Sequence, residues 1–162
     1  MRPDADTQGN AILTAIIRSF AIHRRFLRWK MGIKKILIVD DDPDICEGMR
    51  VRLKANHYDT FFATDAVSTL SQARKHEPDL IILDLGLPAG DGFIVIEKLK
   101  VWPSLARIPV IVVSARDLRG NKERAIKAGA KAYLQKPVDN TELLKVIQQA
   151  LGESAPAEHP VG

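Results

Sequence analysis

Apolar residues between Ile33 and Leu151 follow two alternating patterns. Short runs rich in β-branched residues are each followed by a longer stretch in which apolar residues recur with helical spacing, and this alternation occurs five times. The pattern predicts an α/β fold in which a parallel sheet is covered by helices. A chain of 162 residues that is 46% hydrophobic can form one packed core, so we expect one domain with terminal extensions.

Three of the five apolar runs are unbroken, which predicts central strands buried on both faces of the sheet. The other two runs mix polar with apolar residues, and we place them at or near the sheet edges. The central runs are 36–39, 80–83 and 110–113, and the edge runs are 58–63 and 132–135.

The stretches between the runs predict helices that lie on the sheet. Apolar residues recur every four positions over 45–53, and the last stretch has an apolar face over 143–151. Asp139, with Glu142 three residues later, predicts the start of this last helix. Gly129 predicts the end of the fourth helix, where a left-handed residue is often needed.

The net charge of +4 is confined to the start of the chain. Residues 1–32 contain six basic and two acidic residues, which leaves 18 residues of each sign between positions 33 and 162. A neutral globular part gives no indication of a nucleic-acid partner. The single cysteine, Cys46, cannot form an internal disulfide, so we expect a cytoplasmic protein.

Four of the five apolar runs are followed by polar residues that can take part in chemistry. Asp40–Asp42 follow the first run, Asp84 the third, Ser114 the fourth and Lys136 the fifth. The carboxyl ends of parallel strands share one edge of the sheet, which is where open α/β sheets bind ligands. These side chains are therefore predicted to meet in one crevice.

Several carboxylates in one crevice repel one another unless a cation neutralises them. Mg²⁺ suits such a site because it prefers oxygen ligands and retains some of its water. A carboxylate can also act as a nucleophile and accept a phosphoryl group. Since a divalent cation and a lysine ammonium can together neutralise phosphoryl oxygens, the crevice is predicted to bind Mg²⁺ and to be suited to phosphoryl transfer.

Four segments, which occur in the same order as in the family, resemble the receiver domain of bacterial two-component response regulators, in particular the single-domain, chemotaxis-regulator-like members. The resemblance extends from Ile33 to Gly152. The segments are KKILIVDDDPDI, PDLIILDLGLPAGDGF, IPVIVVSAR and AGAKAYLQKPV.

The resemblance implies a doubly wound, flavodoxin-like fold with strand order 2-1-3-4-5 and helices on both faces. It also implies that Asp84 is the phosphoacceptor and that Asp84 takes part in binding Mg²⁺. Asp41 would be a direct Mg²⁺ ligand, Asp40 a ligand acting mainly through water, and the Gly86 carbonyl a further protein ligand.

The remaining roles implied by the resemblance concern the phosphoryl group and the response to it. Ser114 and Lys136 would bind the phosphoryl oxygens. Tyr133 matches the switch aromatic of the family, whose rotamer is expected to follow the movement of Ser114. The peptide bond before Pro137 is expected to be cis, which proline permits at modest cost.

The same resemblance implies a signalling protein and not an enzyme. A histidine kinase or a histidine phosphotransfer protein would be the phosphoryl donor. The signal would pass to a downstream protein through the face formed by the fourth helix, the fifth strand and the fifth helix.

Two other functions compete with this interpretation. Asp40 and Asp42 form a DxD after a strand, as in phosphatases of the haloacid dehalogenase family, where Asp40 would be the nucleophile. That motif continues with Thr or Val where this chain has Asp44, and the phosphatase interpretation leaves Asp84 unexplained. The second alternative is a receiver that binds partners without phosphorylation, and Asp84 and Lys136 argue against it.

The terminal segments have separate interpretations. Apolar and basic residues over 11–30 can form a basic amphipathic helix, which would suit weak contact with an anionic membrane surface or a partner protein. The alternative is that Met31 is the true start, because MGIKKILIVDDD begins as receivers commonly do. We place the receiver domain at 33–152 and predict a disordered tail over 153–162 that leaves no room for an output domain.

Overall fold

The computed structural model describes residues 32–88 and 92–153. Its strands are β1 Lys35–Val39, β2 Asp59–Ala63, β3 Leu80–Leu83, β4 Val110–Ser114 and β5 Ala132–Gln135. Its helices are α1 Pro43–Ala55, α2 Ala66–His76, α3 Gly92–Val101, α4 Leu118–Ala128 and α5 Asn140–Leu151. The predictions for 1–31 and for 154–162 concern residues outside the described ranges.

The five strands form one parallel sheet in the order β2-β1-β3-β4-β5. This order and the α/β fold class confirm the predictions made from the sequence. The three unbroken apolar runs are the central strands, and β2 and β5 are the edges. One boundary is shifted at the site: Ser114 is the last residue of β4 and not the residue after it.

The helices cover both faces of the sheet because alternate residues of each strand point to opposite sides. On one face, α2, α3 and α4 pack over a core that contains Leu37, Ile81 and Val112. On the other face, α1 and α5 pack over Ile38 and Ile82. Both faces are therefore closed, and the ends of the strands remain for ligands.

Local signals begin and end several helices. The Asp139 carboxylate accepts hydrogen bonds from two amides at the start of α5, and Asp42 does the same for α1. Gly129 ends α4 with a φ of 111°, in the left-handed region. The first turn of α4 is interrupted, because Arg119 and Gly120 have non-helical backbone angles. Among the described residues, the helices are too short or too polar to cross a bilayer.

Candidate functional site

The backbone of the carboxyl edge is held by hydrogen bonds that continue the sheet beyond its strands. The amide of Asp40 donates to the carbonyl of Ala63 over 3.1 Å, and the amide of Asp84 donates to the carbonyl of Val39 over 2.9 Å. The amide of Lys136 donates to the carbonyl of Ser114 over 2.9 Å. These residues are thus positioned by the rigid sheet and not by flexible loops.

Three carboxylates meet at this edge. Asp40, Asp41 and Asp84 each offer an oxygen, and these oxygens all lie within 4.8 Å of one another. Asp40 is 3% exposed and Asp84 is 9% exposed, whereas Asp41 is exposed. Buried carboxylates this close together need a positive charge nearby.

Lys136 supplies one positive charge. Its Nζ lies 2.6 Å from Oδ2 of Asp40 and 3.5 Å from Oδ2 of Asp84. Burial lowers the pKa of Lys136, but the hydrogen bond to Asp40 and the charge of Asp84 outweigh this effect and raise the pKa above its ordinary value. The ammonium therefore stays charged and bridges two of the three acids.

The two oxygens of Asp84 have different surroundings. Oδ2 faces Lys136, whereas Oδ1 is buried without a hydrogen-bond partner among the protein atoms. A side chain at Gly86 would crowd this carboxylate, because an added Cβ would lie 3.1 Å from Oδ2. A buried oxygen without a partner is costly unless something else binds it.

The donor set fits Mg²⁺. Octahedral Mg²⁺ at about 2.1 Å from its ligands places neighbouring oxygens roughly 3 Å apart and opposite ones roughly 4.2 Å apart. The oxygens of Asp40, Asp41 and Asp84 lie within 4.8 Å of one another, so small movements bring them to that spacing. Gly86 leaves the space beside Asp84 open.

Asp42 has a structural role. Its carboxylate accepts from the amides of Asp44 and Ile45 and so caps α1, while its own amide donates to Oδ1 of Asp40 over 2.9 Å. With Lys136 on Oδ2, both oxygens of Asp40 are already bound. Both oxygens of the Asp40 carboxylate thus accept hydrogen bonds from the protein, whereas one oxygen of Asp84 accepts none.

Ser114 and Tyr133 lie on the neighbouring strands β4 and β5. Ser114 is buried, and its Oγ accepts from the amide of Arg116 over 3.4 Å. The Tyr133 hydroxyl is inside the protein and donates to the carbonyl of Arg116 over 2.8 Å. Burial raises the pKa of Tyr133, although its hydrogen bond with Ser114 partly opposes this. The peptide bond between Lys136 and Pro137 is cis.

Two further residues lie near the site, although the sequence analysis assigned neither of them a place there. An added Cβ on Gly92 would lie 2.7 Å from the carbonyl oxygen of Asp84 and from Cα of Leu85, so glycine lets α3 approach the end of β3. Cys46 lies under the acidic turn, with Sγ 3.5 Å from the carbonyl oxygen of Asp40. Gly92 follows an acid in the segment GDGF, where a glycine before a helical stretch could have suggested close packing.

Comparison with known families decides what kind of domain carries this site. Residues 36–148 match the family described as the response regulator receiver domain, which is well over half of the chain. The chain belongs to this family. Receiver domains of this family belong to two-component systems, so the general class predicted from the sequence is confirmed.

Two curated relatives show different lengths. The receiver is 36% identical over 129 residues to the transcriptional regulatory protein KdpE of Mycobacterium tuberculosis, and this alignment covers 78% of the chain and 56% of KdpE. It is 34% identical over 121 residues to the polar-differentiation response regulator DivK of Brucella anthropi, covering 75% of the chain and 98% of DivK. The chain thus spans about half of KdpE and nearly all of DivK.

A solved structure agrees with the fold. The receiver domain of the sensor histidine kinase PA1611 from Pseudomonas aeruginosa, which has a magnesium ion coordinated in its active site cleft, superposes with a TM-score of 0.69. It is 27% identical, and the match covers 75% of this chain and 99% of that domain.

Proposed function

We propose that this receiver accepts a phosphoryl group on Asp84 with the help of Mg²⁺ and passes the signal on by protein contact. The Asp84 carboxylate carries the proposal, because one of its oxygens is buried and unpartnered while the other faces Lys136. A nucleophile needs a free lone pair, and a nearby positive charge stabilises the negative charge on the phosphoryl oxygens during the transfer.

The transfer is a substitution at phosphorus. An oxygen of Asp84 attacks, the new O–P bond forms as the bond from phosphorus to the donor atom breaks, and the leaving group keeps that electron pair. With a phosphohistidine of a kinase or phosphotransfer protein as donor, the leaving group is an imidazole. Bound Mg²⁺, held by Asp41, Asp84 and the Gly86 carbonyl, with Asp40 acting mainly through water, would neutralise charge on the carboxylates and on the phosphoryl oxygens.

Lys136 and Ser114 would bind the phosphoryl group once it is in place. Lys136 lies within 3.5 Å of Asp84, so its ammonium is close to where phosphoryl oxygens would form. The Ser114 hydroxyl would donate to another of these oxygens after a small shift of the loop that follows β4. The backbone of Arg116 hydrogen-bonds to both side chains: its amide donates to Ser114 and its carbonyl accepts from Tyr133. Such a shift would therefore alter the surroundings of Tyr133.

The phosphatase alternative fits these contacts less well. It requires Asp40 as nucleophile and Asp42 as acid, but both oxygens of Asp40 are bound and Asp42 caps α1. Because Asp42 caps α1, its carboxylate points at the amides of Asp44 and Ile45, where it cannot protonate a leaving group at Asp40.

Stoichiometric labelling tests the proposal. The full chain is incubated with acetyl phosphate and Mg²⁺, and intact mass is measured for an acid-stable, base-labile phosphoryl adduct. We expect one adduct per chain, lost in Asp84→Asn and after chelation of the metal. Asp42→Asn is the matched control, because asparagine caps a helix as well as aspartate does. An adduct that survives in Asp84→Asn, or a folded chain that stays unlabelled, would contradict the proposal.

The output surface is proposed to be the face formed by α4, β5 and α5. Leu118 and Ile126 on α4 are exposed apolar residues, and the interrupted first turn at Arg119 and Gly120 follows the loop that carries Arg116. A movement of Ser114 would therefore reach α4 first. Hydrogen–deuterium exchange with and without acetyl phosphate and Mg²⁺ should change over 115–128 and stay constant in α1. Unchanged exchange over 115–128 in a labelled protein would refute this route.

A further inference from the structure

An open groove on the face opposite α1 and α5 has no role in the phosphoryl chemistry. It has a volume of about 810 Å³ and lies between α2 and the end of α3. Its apolar lining comes from two residues of α2 that are three positions apart, from the last residue of α3 and from the residue that follows it. These residues are Val67, Leu70, Val101 and Trp102.

Three of the four apolar residues that line the groove are well exposed. Val67 is 76% exposed, Val101 is 77% exposed and Trp102 is 45% exposed. Single exposed apolar residues are ordinary on a protein surface, whereas exposed apolar residues grouped around one groove are a feature of surfaces that bind partners. Among these residues Trp102 is the strongest indication of a binding surface, because tryptophan is enriched among the residues that contribute most to the binding energy of protein interfaces.

The charged lining of the groove is entirely basic. Arg74, Lys75 and Lys98 are its charged residues, and within the described ranges they form no ion pair with a carboxylate. The guanidinium carbon of Arg74 lies 3.6 Å from the centroid of the Trp102 ring. This cation–π contact stacks the Arg74 guanidinium over the face of the Trp102 ring, and the charge remains free to meet an anion.

We infer that the groove between α2 and α3 binds an acidic amphipathic helix of a partner protein. A helix with apolar residues at i, i+3, i+4 and i+7 presents one stripe that can pack between two neighbouring helices. Carboxylates that flank the stripe would lie against Arg74, Lys75 and Lys98. The positive N-terminal segment of this chain, with a net charge of +4 over 1–32, has the wrong sign for the site.

Trp102 makes the binding measurable. The chain has two tryptophans, so Trp29→Phe leaves Trp102 as the single emitter in the full chain. The probe is a synthetic peptide of about five helical turns with a leucine stripe flanked by glutamates. One control peptide has the same composition with the leucines spread around the helix, and a second has lysine in place of glutamate. We expect saturable quenching or a blue shift of Trp102 emission with the first peptide alone, weakened by high salt.

Matched substitutions separate the groove from nonspecific attraction. Arg74→Glu with Lys98→Glu should weaken binding by about tenfold or more, whereas Arg52→Glu with Lys145→Glu, on α1 and α5, should leave it within about twofold. Val101→Ser should also weaken binding, and Val51→Ser, which alters an exposed valine of α1, should not. Phosphoryl labelling of Asp84 should be the same in all four variants.

Other occupants would give different results. Equal binding of the striped and spread peptides, or equal losses in the groove and control variants, would overturn the inference. Stronger binding to phosphatidylserine vesicles than to the peptide would overturn the inference and indicate that the groove binds a membrane surface. A shift of Trp102 emission that depends on protein concentration in the absence of peptide would also overturn the inference, because it would indicate that the groove binds a second copy of the chain.

Discussion

Replacing Lys136 with methionine would leave two buried carboxylates without the cation that lies between them. The side-chain exposures are 18% for Lys136, 3% for Asp40 and 11% for Asp84. At the 3.5 Å between Lys136 and Asp84, and with an effective dielectric constant of about 20, unit charges attract by roughly 5 kcal/mol. Part of this attraction is offset by the cost of taking the charges out of water.

The expected loss of stability follows from this partial burial. Removing one partner of a buried pair typically costs about 3–5 kcal/mol, and because the ammonium retains contact with solvent we expect the lower end, about 3 kcal/mol. Urea unfolding followed by circular dichroism at pH 7 in low salt with a chelator measures the change. Lys145→Met, at an exposed lysine of α5, is the control and should stay within about 0.5 kcal/mol of the parent.

Mg²⁺ and a second substitution test the stated cause of the loss. Saturating Mg²⁺ should recover much of the stability of Lys136→Met, since the ion brings positive charge to the same carboxylates. Asp40→Asn in the Lys136→Met background should cost less than Asp40→Asn alone, with a coupling of about 1–3 kcal/mol. The reasoning is refuted if Lys136→Met unfolds at the same urea concentration as Lys145→Met, or if Mg²⁺ stabilises both variants equally.

Three further measurements probe other contacts. Gly92→Ala should destabilise the protein by about 1–3 kcal/mol because its Cβ meets backbone at 2.7 Å, whereas Gly48→Ala, with open space in α1, should be neutral or stabilising by up to about 1 kcal/mol; equal effects in urea unfolding would contradict the close approach. Burial raises the pKa of Tyr58, and so do its hydrogen bond to Glu153 and the charge of Glu153. The contribution of Tyr58 to stability is therefore complete below the unfolded pKa of about 10 and is lost as the pH rises further. Tyr58→Phe should therefore lose less stability than the parent between neutral and strongly alkaline pH, and parallel pH profiles would exclude this role. Burial, followed by nearby carboxylates, raises the pKa of Cys46 to about 11, so iodoacetamide at pH 8 should modify it about a hundredfold more slowly in the folded than in the unfolded chain, and similar rates would disprove its protection.

Three features could be predicted from the order of the residues: the fold class, the central and edge strands, and the edge of the sheet that carries the chemistry. These features are local signals or follow from chain order. A strand buried on both faces must be apolar throughout, and the end of each parallel strand lies at the same edge as the others. Asp139 and Gly129 likewise mark helix ends with residues whose chemistry acts within one turn.

The atoms that meet at that edge could not be predicted from the residue pattern and are known only from the folded chain. That Lys136 binds Asp40 more closely than Asp84, and that one oxygen of Asp84 is left without a partner, depends on distances between residues that are far apart in the chain. The same holds for Gly92 against the backbone of β3 and for Arg74 over Trp102. Hydrophobic periodicity reports whether a residue is buried, but it does not report which neighbour it is buried against.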